Sequence, residues 1–136
     1  MKSVFVDSGG FFAHLVAEDA LHDRALECFE RVRAERWDLV TTNAVVVETY
    51  ALLINRARGG RHAAIGLLDA LDQGLCDVVR VNRRDEHRAM ELVRAHHDKT
   101  YSLCDALSFV VMERLDITHA IAFDRHFSTF GRFAII

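Results

Sequence analysis

Short apolar runs alternate along this chain with segments of helical periodicity, and the alternation restricts the folds open to it. The strand-like runs cover residues 3–6, 38–42, 76–81, 119–123 and 133–136. Strands separated by helices usually pair in parallel, and such a sheet is covered on both faces. The pattern therefore predicts an α/β fold with a mainly parallel sheet.

Helical patterns fill the intervals between these strands. We expect helices over residues 8–17, 19–32, 43–58, 61–73, 85–97 and 103–115. Asp19 and Asn43 are residue types that cap helix N-termini, and Gly59-Gly60 is a break between two helices. The helices of residues 44–54 and 103–112 are apolar nearly all round, which predicts that both are buried.

Composition narrows the class of protein further. The 136 residues are 51% apolar and 27% charged, which fits one folded domain over 1–136. Cys28, Cys76 and Cys104 are odd in number and lie in apolar segments, a pattern typical of reduced thiols in a cytoplasm. The sequence has no apolar run of the roughly 20 residues that span a bilayer. A net charge of −3 argues against a protein that coats nucleic acid generally.

Four carboxylates lie in unusually apolar surroundings. Asp7 directly follows the strand Val4-Phe5-Val6, and Asp124 closes the run "HAIAFD". Glu48 is the only charge in "AVVVETYALLI", and Asp105 is the only charge in "LCDALSFVVM". A buried, unpaired carboxylate is costly, so each needs a partner that neutralises it.

Two explanations compete for these four acids. Each could be a cap, or could pair with a buried arginine, but basic residues are scarce in the same segments. The alternative is that they converge beyond the carboxyl ends of the strands, where ligands of parallel sheets usually bind. Two carboxylates about 4 Å apart repel by roughly 4 kcal/mol at an effective dielectric near 20. A cluster would therefore need a divalent cation, and oxygen ligands favour Mg²⁺ or Mn²⁺.

Four blocks of the sequence carry a family resemblance. "VFVDSGGFFA", "TTNAVVVET", "YSLCDALSFVVM" and "AIAFDRHF" resemble, in order, the blocks of a PIN domain, particularly of the VapC-type toxins of toxin–antitoxin pairs. The resemblance spans essentially the whole chain. It implies a three-layer α/β/α sandwich with strand order 3-2-1-4-5 and a single PIN domain over 1–136.

The resemblance also implies an activity and a set of site residues. The expected function is a Mg²⁺-dependent endoribonuclease, with Mn²⁺ as a possible substitute, acting as the toxin of a type II toxin–antitoxin pair in the cytoplasm. Its catalytic and metal-binding residues would be Asp7, Glu48, Asp105 and Asp124. Ser8, Asn43 and Arg125 are candidate accessory residues.

The expected partners are an RNA substrate, a cognate antitoxin and a second copy of the chain, with no membrane. We expect the first helices and the helix of residues 61–73 to expose an apolar face that includes Leu67, Leu68 and Leu71. The resemblance suggests that a homodimer forms and that the antitoxin wraps this same region.

Basic side chains offer candidate contacts to RNA phosphates. Arg125 and Arg132 lie nearest the inferred site along the sequence, and two further clusters consist of Arg56, Arg58, Arg61 and His62, and of Arg80, Arg83 and Arg84. A metal-free mechanism with two histidines is the less favoured alternative, because the eight histidines are scattered. Of these, His126 lies nearest the site, and we interpret it as a surface turn residue.

Three other classes of function are alternatives. A Mg²⁺-binding phosphoacceptor module would want paired acids after the first strand and a lysine near the last strands, and both are missing. A phosphatase with Asp-x-Asp at that point is disfavoured because position 9 is Gly9. A non-catalytic interaction domain could keep the fold alone, although the complete acidic quartet argues against it.

Overall fold

Five parallel strands form the centre of the computed structural model, which describes residues 2–136. The strands are β1 (Ser3–Val6), β2 (Asp38–Thr42), β3 (Asp77–Val79), β4 (His119–Ile121) and β5 (Ala134–Ile135). Their order across the sheet is β3-β2-β1-β4-β5, and every neighbouring pair is parallel. The predicted α/β class and strand order are confirmed.

Seven helices accompany these strands in the described residues. They are α1 (Ser8–Leu15), α2 (His22–Ala34), α3 (Asn43–Arg56), α4 (Gly60–Asp72), α5 (Arg83–Ala95), α6 (Leu103–Arg114) and α7 (Arg125–Phe130). Right-handed crossovers place α1–α4 on one face of the sheet and α5–α7 on the other. Consistent with this, α1 contacts α2 and α3, α3 contacts α4, and α5 contacts α6. None of the helices within residues 2–136 is long and apolar enough to cross a membrane.

Several predicted boundaries are wrong for identifiable reasons. The third strand ends at Val79 instead of Val81, because the Val81 N–H donates to the side chain of Asn43 (2.9 Å) and not to a neighbouring strand. Asn43 is consequently not the cap of α3. That role belongs to Thr42, whose hydroxyl accepts from the Val45 N–H at 3.1 Å.

Two further differences concern the ends of helices. Asp19 accepts from the Leu21 N–H within a turn, and α2 begins later, at His22, so Asp19 is not its cap. The short helix α7 was not predicted from periodicity, because it has only 6 residues. It begins directly after Asp124, and its position matters for the site.

Burial confirms one of the two predicted buried helices. All residues of α6 from Asp105 to Met112 are buried. In α3 only Val45, Thr49 and Leu53 are buried, whereas Val47 is 71% exposed. The three buried positions are four residues apart and form one stripe along the helix. Because the rest of the helix is largely apolar too, its opposite face exposes apolar side chains to solvent.

The prediction of an exposed apolar face on α4 is also partly wrong. Leu67 is fully buried, and only Leu68 is exposed (37%), while Leu71 is partly buried against the core. In the first helices, Leu26 on α2 is 43% exposed, as expected. Other exposed apolar side chains lie on α3, α5 and the start of α6; they are Val47, Ile54, Met90, Val93 and Leu103.

Gly10 allows α1 to pack closely on β4. A Cβ at this position would lie 2.8 Å from the carbonyl oxygen of Ile121, a separation that real Cβ atoms essentially never show. Gly10 is therefore required by the close packing between α1 and β4. This close approach fixes the turn that presents Asp7.

Candidate metal centre

The carboxyl ends of the two central strands deliver the first two acids. Asp7 follows β1 and precedes α1, and its N–H donates to the carbonyl oxygen of Ile121 on β4 (3.1 Å). Asp124 follows β4 and caps α7, accepting from the N–H of His126 at 2.8 Å. Because β1 and β4 are neighbouring parallel strands, both acids lie at one edge of the sheet.

Two helices supply the other two acids. Asp105 is the third residue of α6 and forms a capping box with Ser102: each side chain accepts from the other's backbone N–H, at 3.2 and 3.0 Å. Glu48 lies on the second turn of α3. Its Oε1 accepts a 2.5 Å hydrogen bond from the hydroxyl of the buried Ser8, which joins α3 to the start of α1.

Asp7 is the most deeply buried of these acids. It is 2% exposed, and its Oδ1 has no hydrogen-bond partner. Burial raises the pKa of Asp7 to about 8, a hydrogen bond from the Ser8 backbone opposes the rise, and the negative charges of Asp105, Glu48 and Asp124 add to it. The three other acids selected from the sequence are thus near enough for their charges to act on Asp7. Ligand atoms of Asp105, Asp124 and His126 lie within 4.8 Å of one another, and Asp7 and Glu48 lie outside that tighter group.

His126 lies between two of these carboxylates. Its Nδ1 is 3.0 Å from Oδ2 of Asp105 and 3.4 Å from Oδ1 of Asp124. The ring meets Tyr101 edge-on with centroids 5.3 Å apart, and the side chain is 18% exposed. The interpretation of His126 as a surface turn residue is wrong, because the unpredicted α7 turns its ring back toward the site.

The accessory candidates lie in different places. Ser8 donates a hydrogen bond to Glu48, as described. The side-chain oxygen of Asn43 instead accepts from the Val81 N–H, so Asn43 connects the start of α3 to the segment after β3. Arg125 is exposed at the first position of α7. Arg132 forms a 2.7 Å salt bridge with Glu113 and is therefore already engaged.

Sequence reasoning missed Cys104 as a neighbour of the site. Burial is the largest cause that raises the pKa of the Cys104 thiol, and the negative charges of Glu48 and Asp7 contribute further. Cys104 is therefore a neutral thiol beside the acids. Its position next to Asp105 was the only signal in the sequence.

The donor set fits a divalent cation. Four carboxylates crowd one edge of the sheet, no arginine or lysine bonds to any of them in residues 2–136, and a buried oxygen of Asp7 has no partner. A hard cation that takes oxygen ligands would offset the repulsion and satisfy that oxygen. Asp7, Glu48, Asp105 and Asp124 could hold it, and His126 offers a nitrogen within 4.8 Å of ligand oxygens of Asp105 and Asp124.

Comparisons with known proteins give a consistent picture. The family model for the PIN domain matches residues 4–132. The 23S rRNA-specific endonuclease VapC20 from two strains of Mycobacterium tuberculosis is 35% identical over 129 residues, which cover 94% of both chains. The crystal structure of M. tuberculosis VapC20, described as a sarcin-ricin loop cleaving toxin, matches with a TM-score of 0.82 and 34% identity over 95% of both chains. VapBC2 from Rickettsia felis, bound to a DNA fragment from its promoter, matches in fold alone, with a TM-score of 0.72 and 9% identity over 98% of this chain and 97% of that one.

Proposed function

The chain belongs to the PIN domain family, and on this premise we propose that it is a Mg²⁺-dependent endoribonuclease, the toxin of a type II toxin–antitoxin pair. The observation that carries the proposal is the environment of Asp7. A carboxyl that is 2% exposed, has an oxygen without a partner and lies among three further acids is a costly arrangement for folding alone. Metal-dependent cleavage of a phosphodiester bond accounts for it.

Each side chain of the site has a distinct task in this proposal. Asp7, Glu48, Asp105 and Asp124 hold the cation, with Mn²⁺ as a possible substitute for Mg²⁺. When bound, the cation would lower the pKa of a bound water and offset negative charge on the phosphate oxygens. The hydroxyl of Ser8 orients Glu48. The capping box of α6 orients Asp105 at a helix N-terminus, where the helix dipole favours a negative group.

We propose ribosomal RNA as the substrate class. The curated relatives are named as 23S rRNA-specific endonucleases, and the most similar of the solved structures described above is named as a sarcin-ricin loop cleaving toxin. The exposed Arg125 adjoins Asp124 and is placed to contact an RNA phosphate near the scissile bond. The arginine clusters around Gly59-Gly60 and after β3 are exposed as well and would extend this contact.

A cleft between α2 and the start of β3 supports an antitoxin partner. It has a volume of about 510 Å³ and is lined by apolar and charged side chains of α2, β2 and the segment before β3. Leu26 on its rim is 43% exposed, and the ring of His14 packs on Phe29 with centroids 4.1 Å apart. We propose that a segment of the cognate antitoxin docks here, in the region of the first helices.

We propose a homodimer through a second surface. Val47, Met90 and Leu103 are 71%, 40% and 54% exposed, and an apolar hollow of about 280 Å³ opens beside Met90 and Leu103. Exposed apolar groups around one hollow, as Met90 and Leu103 are here, are typical of protein interfaces. We also propose that residues 1–136 are one PIN domain and that the protein acts in the cytoplasm.

The test is cleavage of RNA by the purified protein. With Mg²⁺ or Mn²⁺ it should cut ribosomal RNA, and EDTA should stop the reaction. Asp7→Asn should lose cleavage by a factor of about 10–100 or more, since one ligand of the cation is neutralised. Asp69→Asn, at an exposed position of α4, is the matched control and should cut like the parent. Cleavage that is indifferent to EDTA would contradict the metal mechanism, and a protein inert toward RNA would favour a non-catalytic role.

A further inference from the structure

The position of His126 bears on which cation the centre takes. Four carboxylates alone make a site of oxygen ligands, which Mg²⁺ and Mn²⁺ both accept. An imidazole nitrogen is a ligand that suits transition metals better than Mg²⁺. The choice of cation therefore depends on whether His126 only donates a hydrogen bond or also binds the metal.

The separations around Nδ1 are close to those between ligands of one cation, and the three ligand atoms lie within 4.8 Å of one another. Two neighbouring ligand atoms of an octahedral cation with bonds of about 2.1 Å lie about 3.0 Å apart. Nδ1 of His126 lies 3.0 Å from Oδ2 of Asp105 and 3.4 Å from Oδ1 of Asp124. The orphaned, buried Oδ1 of Asp7, whose carboxyl feels the charges of both these acids, is an independent sign that a ligand belongs among them.

The imidazole is also held in place before any cation binds. The backbone N–H of His126 donates to Asp124, and the ring lies edge-on to Tyr101, which is buried. A ligand held in this way loses little freedom on binding a metal. In the metal-free protein Nδ1 is hydrogen-bonded to Oδ2 of Asp105. Binding of a cation at Nδ1 requires the neutral tautomer that carries its single ring proton on Nε2.

We propose that His126 binds the cation through Nδ1 together with Asp105 and Asp124, so that the centre prefers Mn²⁺ to Mg²⁺. The inference rests on the proposed metal centre and adds to it a nitrogen ligand and an order of preference. It makes His126 a determinant of metal choice.

Pulsed EPR of the Mn²⁺-loaded protein tests the ligand directly. Coordination by imidazole couples the manganese electron spin to ¹⁴N, so the parent should show ¹⁴N modulation and His126→Gln should not. His97→Gln is the matched control, because His97 is exposed near the end of α5, and its spectrum should equal that of the parent. Absence of ¹⁴N modulation in the parent would overturn the proposal without any variant being made.

The preference is measured by titrating Mn²⁺ and competing it with Mg²⁺. Removal of even an outer-shell partner of a metal ligand typically costs 10–100-fold in affinity. His126→Gln should therefore lower the ratio of Mn²⁺ to Mg²⁺ affinity by about tenfold or more, and His97→Gln should leave it unchanged. An unchanged ratio in His126→Gln would refute the proposal. Neither readout uses RNA, so a failure here is distinct from a failure of the ribonuclease assay.

Discussion

Replacing Asp7 by asparagine is expected to stabilise the metal-free protein by an amount that grows with pH. Asp7 has a pKa of about 8 in the folded chain against an ordinary value of 3.8, chiefly because it is buried and further because other acids surround it. Stability associated with such a group is fully present below pH 3.8 and is lost as the pH rises toward 8. Asparagine has nearly the shape of the protonated acid but does not titrate.

The size of the effect follows from proton linkage. Between the two pKa values the folded state carries one proton that the unfolded state lacks, so the free energy of unfolding falls by about 1.36 kcal/mol for each pH unit. From pH 5 to pH 7 the contribution of Asp7 is therefore a loss of roughly 3 kcal/mol. Over the whole interval from 3.8 to about 8 the loss approaches roughly 6 kcal/mol.

Urea unfolding in EDTA at pH 5, 6 and 7 measures this slope. The parent should lose roughly 3 kcal/mol more than Asp7→Asn between pH 5 and pH 7, and the control Asp69→Asn should follow the parent. Mg²⁺ or Mn²⁺ should restore the parent at pH 7 far more than the variant, since the cation favours the ionised carboxylate. Parallel pH profiles for the parent and Asp7→Asn would refute the reasoning, because they would mean that Asp7 titrates alike in both states.

The remaining predictions concern the site and its supports. Asp105→Asn should abolish RNA cleavage, yet its free energy of unfolding in EDTA should lie within about 1 kcal/mol of the parent's. The reason is that asparagine keeps a side-chain oxygen for the capping box. An unfolding midpoint several degrees lower would mean that Asp105 has a structural role. Gly10→Ala should cost about 1–3 kcal/mol in urea unfolding, whereas Gly66→Ala, which meets nothing within 4 Å, should not destabilise. Asp85→Ala should cost roughly 2–3 kcal/mol, since it removes both the 2.8 Å ion pair with Arg114 and the acceptor for the Asn82 N–H in the capping box of α5; a loss below 1 kcal/mol would contradict this.

The acids at strand ends were predictable from the sequence because each is a charged residue that directly follows an apolar strand. Apolar strands such as Val4-Phe5-Val6 define where a parallel sheet ends, and an acid at that point must find a partner there. Glu48 and Asp105 stood out for the same reason, as lone charges in apolar helices. The strand order came from the family resemblance, since periodicity alone does not rank the neighbours of a strand.

Contacts that depend on a turn or on a neighbouring element were not predictable in the same way. His126 reaches Asp105 only because the 6-residue α7 redirects the chain, and a helix that short has no detectable period. Asn43 is a residue type that often caps helices, but its side-chain oxygen accepts a hydrogen bond from the N–H of Val81, which is distant in the sequence. Apolar composition likewise predicts that α3 packs against something, without saying that Val47 lies on the outside of the monomer.

The central claim is that Asp7, Glu48, Asp105 and Asp124 hold one metal centre. A crystal of the protein grown with Mn²⁺ and measured for anomalous scattering tests it most directly. We expect an anomalous peak beside Oδ1 of Asp7, within bonding distance of Asp7 and Asp105, that disappears in Asp7→Asn crystals treated identically. Crystals that bind no Mn²⁺ among these carboxylates, with Oδ1 of Asp7 bonded instead to a protein group, would contradict it.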